Sequence, residues 1–203
     1  MTGLTRQQAA EAVAALFGTT ASHSRSSRTY DPWEVTDNEG KTWRFVFDAS
    51  IRATHRSGRR QLSTGDDTYK VEMNSPKLEY SEMSRLQEVV RALRHAGAVV
   101  NSSCGMHVHV DASKHTPQSL KNALSIMYSK EDILFKALQV NSSRVSQYCQ
   151  KVREPMLKEA RKLSSDEQKI SRRWKASGMK EISLTENTIT GRAIMPESAL
   201  CVL

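Results

Sequence analysis

The chain has 203 residues, 38% of them hydrophobic and 26% charged, with a formal net charge of +8. That length and balance exclude a disordered polymer and fit one domain, or one domain with an extension, able to bury a core. Excess positive charge favours contact with anions such as nucleotides, nucleic acid or acidic substrates, without choosing among them. Basic residues crowd Arg52 to Arg60 and the tail from Lys151 to Lys175, where a solvated surface is the simplest reading. Cys104, Cys149 and Cys201 form an odd set without a Cys-x-x-Cys pair, which points to a reducing compartment rather than a disulfide framework. No apolar run approaches the roughly 20 residues of a membrane span. The first 18 residues lack a signal-peptide core, so the expected location is cytoplasmic and no membrane partner is expected.

In chain order, Thr5 with Gln8 three residues on is a capping-box signal for a helix carrying Ala9, Ala12, Val13, Leu16 and Phe17, stopped by Gly18. A polar, turn-rich stretch follows, with a short strand near Trp33 to Val35 and a hairpin-type turn at "DNEGK". "TWRFVFDASI" alternates as a strand: Trp43, Phe45 and Phe47 face one way, Arg44, Val46 and Asp48 the other. "HRSGRRQLSTGDD" reads as a loop. "TYKVEMNSPKL" reads as a strand ended by Pro76. Ser81 opens a helix whose Met83, Leu86, Val89, Val90 and Leu93 share a face and which Gly97 closes. "AVV" is a strand lead-in and "MHVHVDA" a strand. Thr116-Pro117 starts a helical pattern that continues with breaks to about Lys175. The remainder shows a strand signal only near Ile182 to Leu184. The expected class is α+β, a mainly antiparallel sheet backed by helices.

The chemistry concentrates in "NSSCGMHVHVD". At strand spacing His107, His109 and Asp111 share a face, roughly 6–7 Å apart. Met106, Val108 and Val110 point the other way, where helices can cover them. Two imidazoles and a carboxylate in a row can ligate a divalent metal, and imidazole can donate to phosphate. The plainer alternative is a half-exposed strand with polar residues on its wet side. Cys104-Gly105 lets the backbone bend just before the histidines. Glu72, between Val71 and Met73, should face away from the core, and Asp48 offers a further carboxylate; a solvated strand residue and a turn former are their ordinary readings. Ser75 reads as a Ser-Pro turn. Asn101, Ser102 and Ser103 read as a turn whose donors could reach phosphate. No phosphate-loop, dinucleotide, Gly-x-Ser-x-Gly or His-Glu-x-x-His motif occurs. Cys104 lies on the wrong face for activation by His107.

Three segments in order, "WRFVFDASI", "YKVEMNSPKL" and "GAVVNSSCGMHVHVD", resemble the amidoligase family within the glutamine-synthetase-like carboxylate–amine ligases. The second is similar to that family's Glu-x-x-Ser-Pro-x-Leu strand, and the third to its Cys-Gly-x-His-Val-His-Val signature. "RVSQYCQKV" resembles a helix that follows. The likeness covers roughly residues 2 to 155, so the expected organisation is an amidoligase-like domain over 1–163 and a divergent helical tail over 164–203. The resemblance implies a glutamine-synthetase-like catalytic sheet. It also implies ATP and Mg²⁺ (or Mn²⁺) as cofactors, and amide-bond formation from a small-molecule or peptide carboxylate and an amine through an acyl phosphate. It implies Glu72 and His107 as metal ligands, His109 as a contact to phosphate, and Asp48 as a residue that positions the amine. Two departures stand out. The family's opening Glu-x-Glu strand precedes a "TGxTR" helix, and this chain starts at "MTGLTR"; nothing from Glu181 to Leu203 matches the family's Glu-Phe-Arg strand. The expectation is therefore a family member in fragmentary form. The alternatives are a basic nucleic-acid- or anion-binding module without catalysis, which an aromatic content of only 6% argues against, and a zinc hydrolase built on His107, His109 and Asp111.

Overall fold

The computed structural model describes residues 1–57, 61–111, 116–140, 145, 151–162, 184–185 and 188–193. The chain is an α+β protein in two compact units, Met1–Cys104 and Gly105–Pro196.

In the first unit, helix α1 (Arg6–Phe17) is closed at its start by the expected Thr5–Gln8 capping box and at its end by Gly18 in the left-handed region (φ 65°). Its buried stripe is Ala9, Ala10, Val13 and Ala14, while Leu16 is exposed. Small residues thus face the sheet, whose inner side already carries the large rings of Trp43 and Phe45. That sheet has the order β1-β2-β3-β6, antiparallel throughout. Its strands are β1 (Ala21–His23), β2 (Trp33–Thr36), β3 (Thr42–Phe47) and β6 (Val71–Asn74). The "DNEGK" turn joins β2 to β3, with Gly40 at φ 79°. Strand β1, three residues long, falls in what reads as a turn-rich stretch. The basic segment expected as a loop is a hairpin of β4 (Thr54–Ser57) and β5 (Gln61–Thr64). Strand β6 begins at Val71 rather than Tyr69, because Asp66 caps a 3-10 turn over Asp67–Tyr69. Helix α2 (Met83–Ala96) follows a second 3-10 turn and ends at Gly97 (φ 115°).

Trp43, Phe45, Val35 and Val71 from the sheet, the α1 stripe, and Val89 and Leu93 of α2 form one buried cluster on a single sheet face. The residues at its upstream end are knitted in as well. Met1 and Val71 exchange both backbone hydrogen bonds (2.7 and 3.1 Å), and so do Thr2 and Val99 (2.9 Å each). Beneath the core, the buried Asp37 carboxylate accepts from Trp43 Nε1 (3.1 Å), Arg85 Nη1 (3.3 Å) and the amides of Glu39 and Lys41. Burial works to raise this carboxyl, but the bond from Trp43 and the other donors outweigh it and hold it below the ordinary carboxylate range.

In the second unit, β7 (Met106–Asp111) pairs antiparallel over its whole length with β9 (Thr188–Ala193), which also pairs with β8 (Leu184–Thr185). Strand β9 corrects the expectation that the terminal stretch holds no clean element; its signal was the β-branched run Thr188-Ile189-Thr190. The long helical pattern resolves into α3 (Pro117–Ala137), capped by Thr116, and α4 (Glu154–Lys162). Residues 163–175, where the pattern was expected to continue, lie outside the described residues, as does most of "RVSQYCQKV". Among the described residues no helix is long and apolar enough to cross a membrane.

Helix α3 carries a buried carboxylate, Glu131, which accepts the Val152 amide with both oxygens (2.6 and 2.9 Å) ahead of α4. Burial pushes its pKa up, against the lowering pull of the Val152 bond and of Lys151. A group that binds its proton more tightly when folded stabilises the fold fully below the ordinary carboxylate pKa, and that contribution is lost as pH rises through the raised value. Glu131→Gln keeps an oxygen for the Val152 amide and cannot ionise. Urea unfolding of the variant, followed from pH 4 to pH 8, should therefore lose this alkaline-side decline; a decline as steep as in the parent chain would rule the assignment out.

Candidate functional site

Register fixes the face on which each first-unit candidate lies, because residues directly opposite in an antiparallel pair share a face. Phe45 is opposite Met73 and Phe47 opposite Val71, all on the core side. Val46 is opposite Glu72 and Arg44 opposite Asn74, so these four lie on the other side, away from α1 and α2. Glu34, opposite Arg44, joins them and accepts from its Nε at 3.0 Å. Glu72 is half-buried there. Its expected orientation away from the core therefore matches the register.

Asp48 stands at the exit of β3. Its Oδ1 accepts from the Ser50 amide (2.9 Å) and hydroxyl (2.7 Å), and its carbonyl accepts from the Ile51 amide (3.3 Å). One carboxylate oxygen thus closes a turn, the ordinary role considered for it. Ser75 donates to the Pro76 carbonyl (3.0 Å), again as a turn residue. The "NSSC" segment is also an internally bonded turn. Asn101 Oδ1 accepts the Ser103 amide (2.9 Å), and the Cys104 amide donates to the Asn101 carbonyl (2.9 Å). Arg52 is its counterpart: its amide donates to Ser103 Oγ (2.8 Å), its carbonyl accepts from Asn101 Nδ2 (2.9 Å), and its guanidinium donates to Ser102 Oγ. The turn expected for Asn101, Ser102 and Ser103 is therefore present, and Arg52 is the residue that sequence reasoning did not connect to it. Cys104 is buried, with its sulfur 3.8 Å from Asn101 Oδ1.

A second charged centre surrounds Asp31, a non-glycine residue at φ 41°. Its carboxylate accepts Arg6 Nε (3.1 Å) and Nη2 (2.6 Å) on one oxygen and meets His23 Nε2 (2.7 Å) with the other. The Arg6 bonds, followed by the His23 bond, hold the carboxyl below its ordinary value. His23 lies on the core-side register of the sheet, across from Trp33, and so on the face opposite Glu72.

In the second unit the histidine strand is a strand as expected, with His107, His109 and Asp111 in register with Arg192, Thr190 and Thr188. His109 is exposed. The side chains of His107 and Asp111 lie outside the described residues. The sealed apolar backing expected for this strand is not found at Val108, which is 45% exposed. Its neighbours in the sheet are strands, and alternation alone could not say whether a helix would cover it. Arg192, opposite His107, went unnoticed because the β9 pairing was not foreseen. Among the described residues no three His, Cys, Asp or Glu side chains gather into a metal cage.

A family model described as "Putative amidoligase enzyme" matches residues 1–195, running through β9 to the end of the sheet of the second unit. No curated protein and no solved structure gives a significant match. With nearly its whole length inside that match, the chain belongs to the amidoligase family.

Proposed function

We propose that this chain carries the chemistry of an ATP-dependent carboxylate–amine ligase, joining a small-molecule or peptide carboxylate to an amine through an acyl phosphate. The observation that supports the reading, beside family membership, is that Glu72 lies on the face of the first sheet turned away from α1 and α2. A half-buried carboxylate suits a hard divalent cation, and imidazole is an accepted partner ligand. That donor chemistry fits Mg²⁺ or Mn²⁺, with Glu72 and His107 as the residues that would hold it. Such a cation supplies neutralisation of phosphate charge and a template for the reacting groups.

The remaining work falls to the chain itself. His109, exposed on its strand, donates an imidazole N–H to a phosphate oxygen. Asp48 has one oxygen committed to its turn; the second orients the incoming amine. The excess of positive charge draws the anionic substrates toward the protein.

Manganese binding, read by the loss of the free-ion electron paramagnetic signal, tests this directly. Glu72→Gln keeps the shape and removes the charge, and should weaken Mn²⁺ binding by about 10-fold or more while leaving the circular dichroism spectrum unchanged. Equal binding by the parent chain and the variant would remove Glu72 from the site. Carboxylate-dependent release of phosphate from ATP, lost in His109→Ala, would separate a ligase from a simple cation binder.

A further inference from the structure

We infer that Arg6 is a positioning residue that fixes the register of β6 and so keeps Glu72 on the sheet face turned away from the core; this rests on the reading of Glu72 as a metal ligand. Strand β6 has only four residues, Val71–Asn74. A slip of one residue against β3 would turn Glu72 into the core and the fully buried Val71 out of it, since side chains alternate with a period of two. So short a strand needs its starting point fixed from outside. Arg6 does this from the first turn of α1. Its Nη1 donates to the carbonyl of Asp67 at 2.7 Å and, at 3.4 Å each, to those of Thr68 and Lys70, the last of these directly preceding β6.

The guanidinium is itself held on two further sides. Asp31 takes its Nε and Nη2, and Arg6 is 7% exposed. Its central carbon also lies 5.8 Å from the centroid of the Phe47 ring, on the strand that β6 pairs with. One planar fork therefore ties α1, the Asp31 turn, the end of β3 and the root of β6 together. Lysine would keep the charge but not the fork.

The test compares the parent chain with Arg6→Lys and Arg6→Ala in two readouts: Mn²⁺ binding, and the carboxyl carbon resonance of Glu72 in isotopically labelled protein. Arg6→Lys is the milder change and keeps the experiment usable should Arg6→Ala unfold. The expected result is a roughly 10-fold weaker Mn²⁺ affinity with a displaced Glu72 resonance, both restored in Arg6→Ala by added ethylguanidinium. An arginine that only stabilises would lower the melting temperature, yet leave the resonance and the affinity of the folded protein at parent values, and that result overturns the inference. If the parent chain binds no Mn²⁺, the metal-ligand reading fails by itself, and the Glu72 resonance alone decides the role of Arg6.

Discussion

Trp43→Ala is expected to cost the first unit about 3–5 kcal/mol, enough to bring a domain of ordinary stability close to unfolding at room temperature. Two losses add. The ring is fully buried at the centre of the sheet's core face, within 5.8 Å of Phe17, so truncation leaves a cavity between α1 and β3. The indole N–H also satisfies Asp37, whose side chain is almost wholly enclosed. Trp43→Phe separates the two effects, since it keeps an aromatic ring and deletes the donor. Its expected cost is about 1–3 kcal/mol from the weakened satisfaction of a buried carboxylate plus some lost packing. Chemical denaturation of both variants gives the comparison. A Trp43→Phe protein as stable as the parent would show that the bond to Asp37 adds nothing.

Gly3→Ala should be nearly as damaging, although it adds a single methyl group. Gly3 has φ 88°, a backbone conformation that costs an L-residue roughly 1–2 kcal/mol. A Cβ there would also sit 2.6 Å from the Gly97 carbonyl oxygen and 3.0 Å from Val99 Cγ2. The first of these is backbone in the left-handed turn that ends α2, so it cannot yield without disturbing the Thr2–Val99 pair. The combined cost is expected to reach about 3 kcal/mol or more. Gly18→Ala is the control: φ is 65° and a Cβ meets nothing within 4 Å, so only the backbone term remains, at roughly 1 kcal/mol. If the two variants melt together, the crowding around Gly3 has no energetic weight.

Legibility in the sequence followed the strength of the apolar period. Helix α1, strand β3 and helix α2 each combine a clear period with a start or stop residue, and each was readable. The β4–β5 hairpin was not, because Thr54–Ser57 and Gln61–Thr64 carry polar or basic residues on both faces and so lack the alternation of a half-buried strand. Strand β1 is too short for any period to show, and β9 has glycine and arginine in its second half, where apolar residues would have marked it. The site was legible to the same extent. The face of Glu72 follows from Val71 and Met73 on either side of it, and the turn role of Asp48 was one of its two readings. The hub around Arg6 and the Arg52 contact to the "NSSC" turn join residues 25 to 64 and 49 to 51 positions apart, and nothing local announces such pairs.

The reciprocal bonds between Met1 and Val71 bear on how the protein should be handled at the bench. Residues fused ahead of Met1, an affinity tag included, would start alongside β6, the end strand of the first sheet. If they continued as a strand, the residue joined directly to Met1 would fall opposite Glu72, and the one before it opposite Met73 on the core side. A tag leader that is polar at the first of these places and apolar at the second would suit the fold, whereas a proline or a run of histidines there would disturb the carboxylate that the binding experiments are designed to probe.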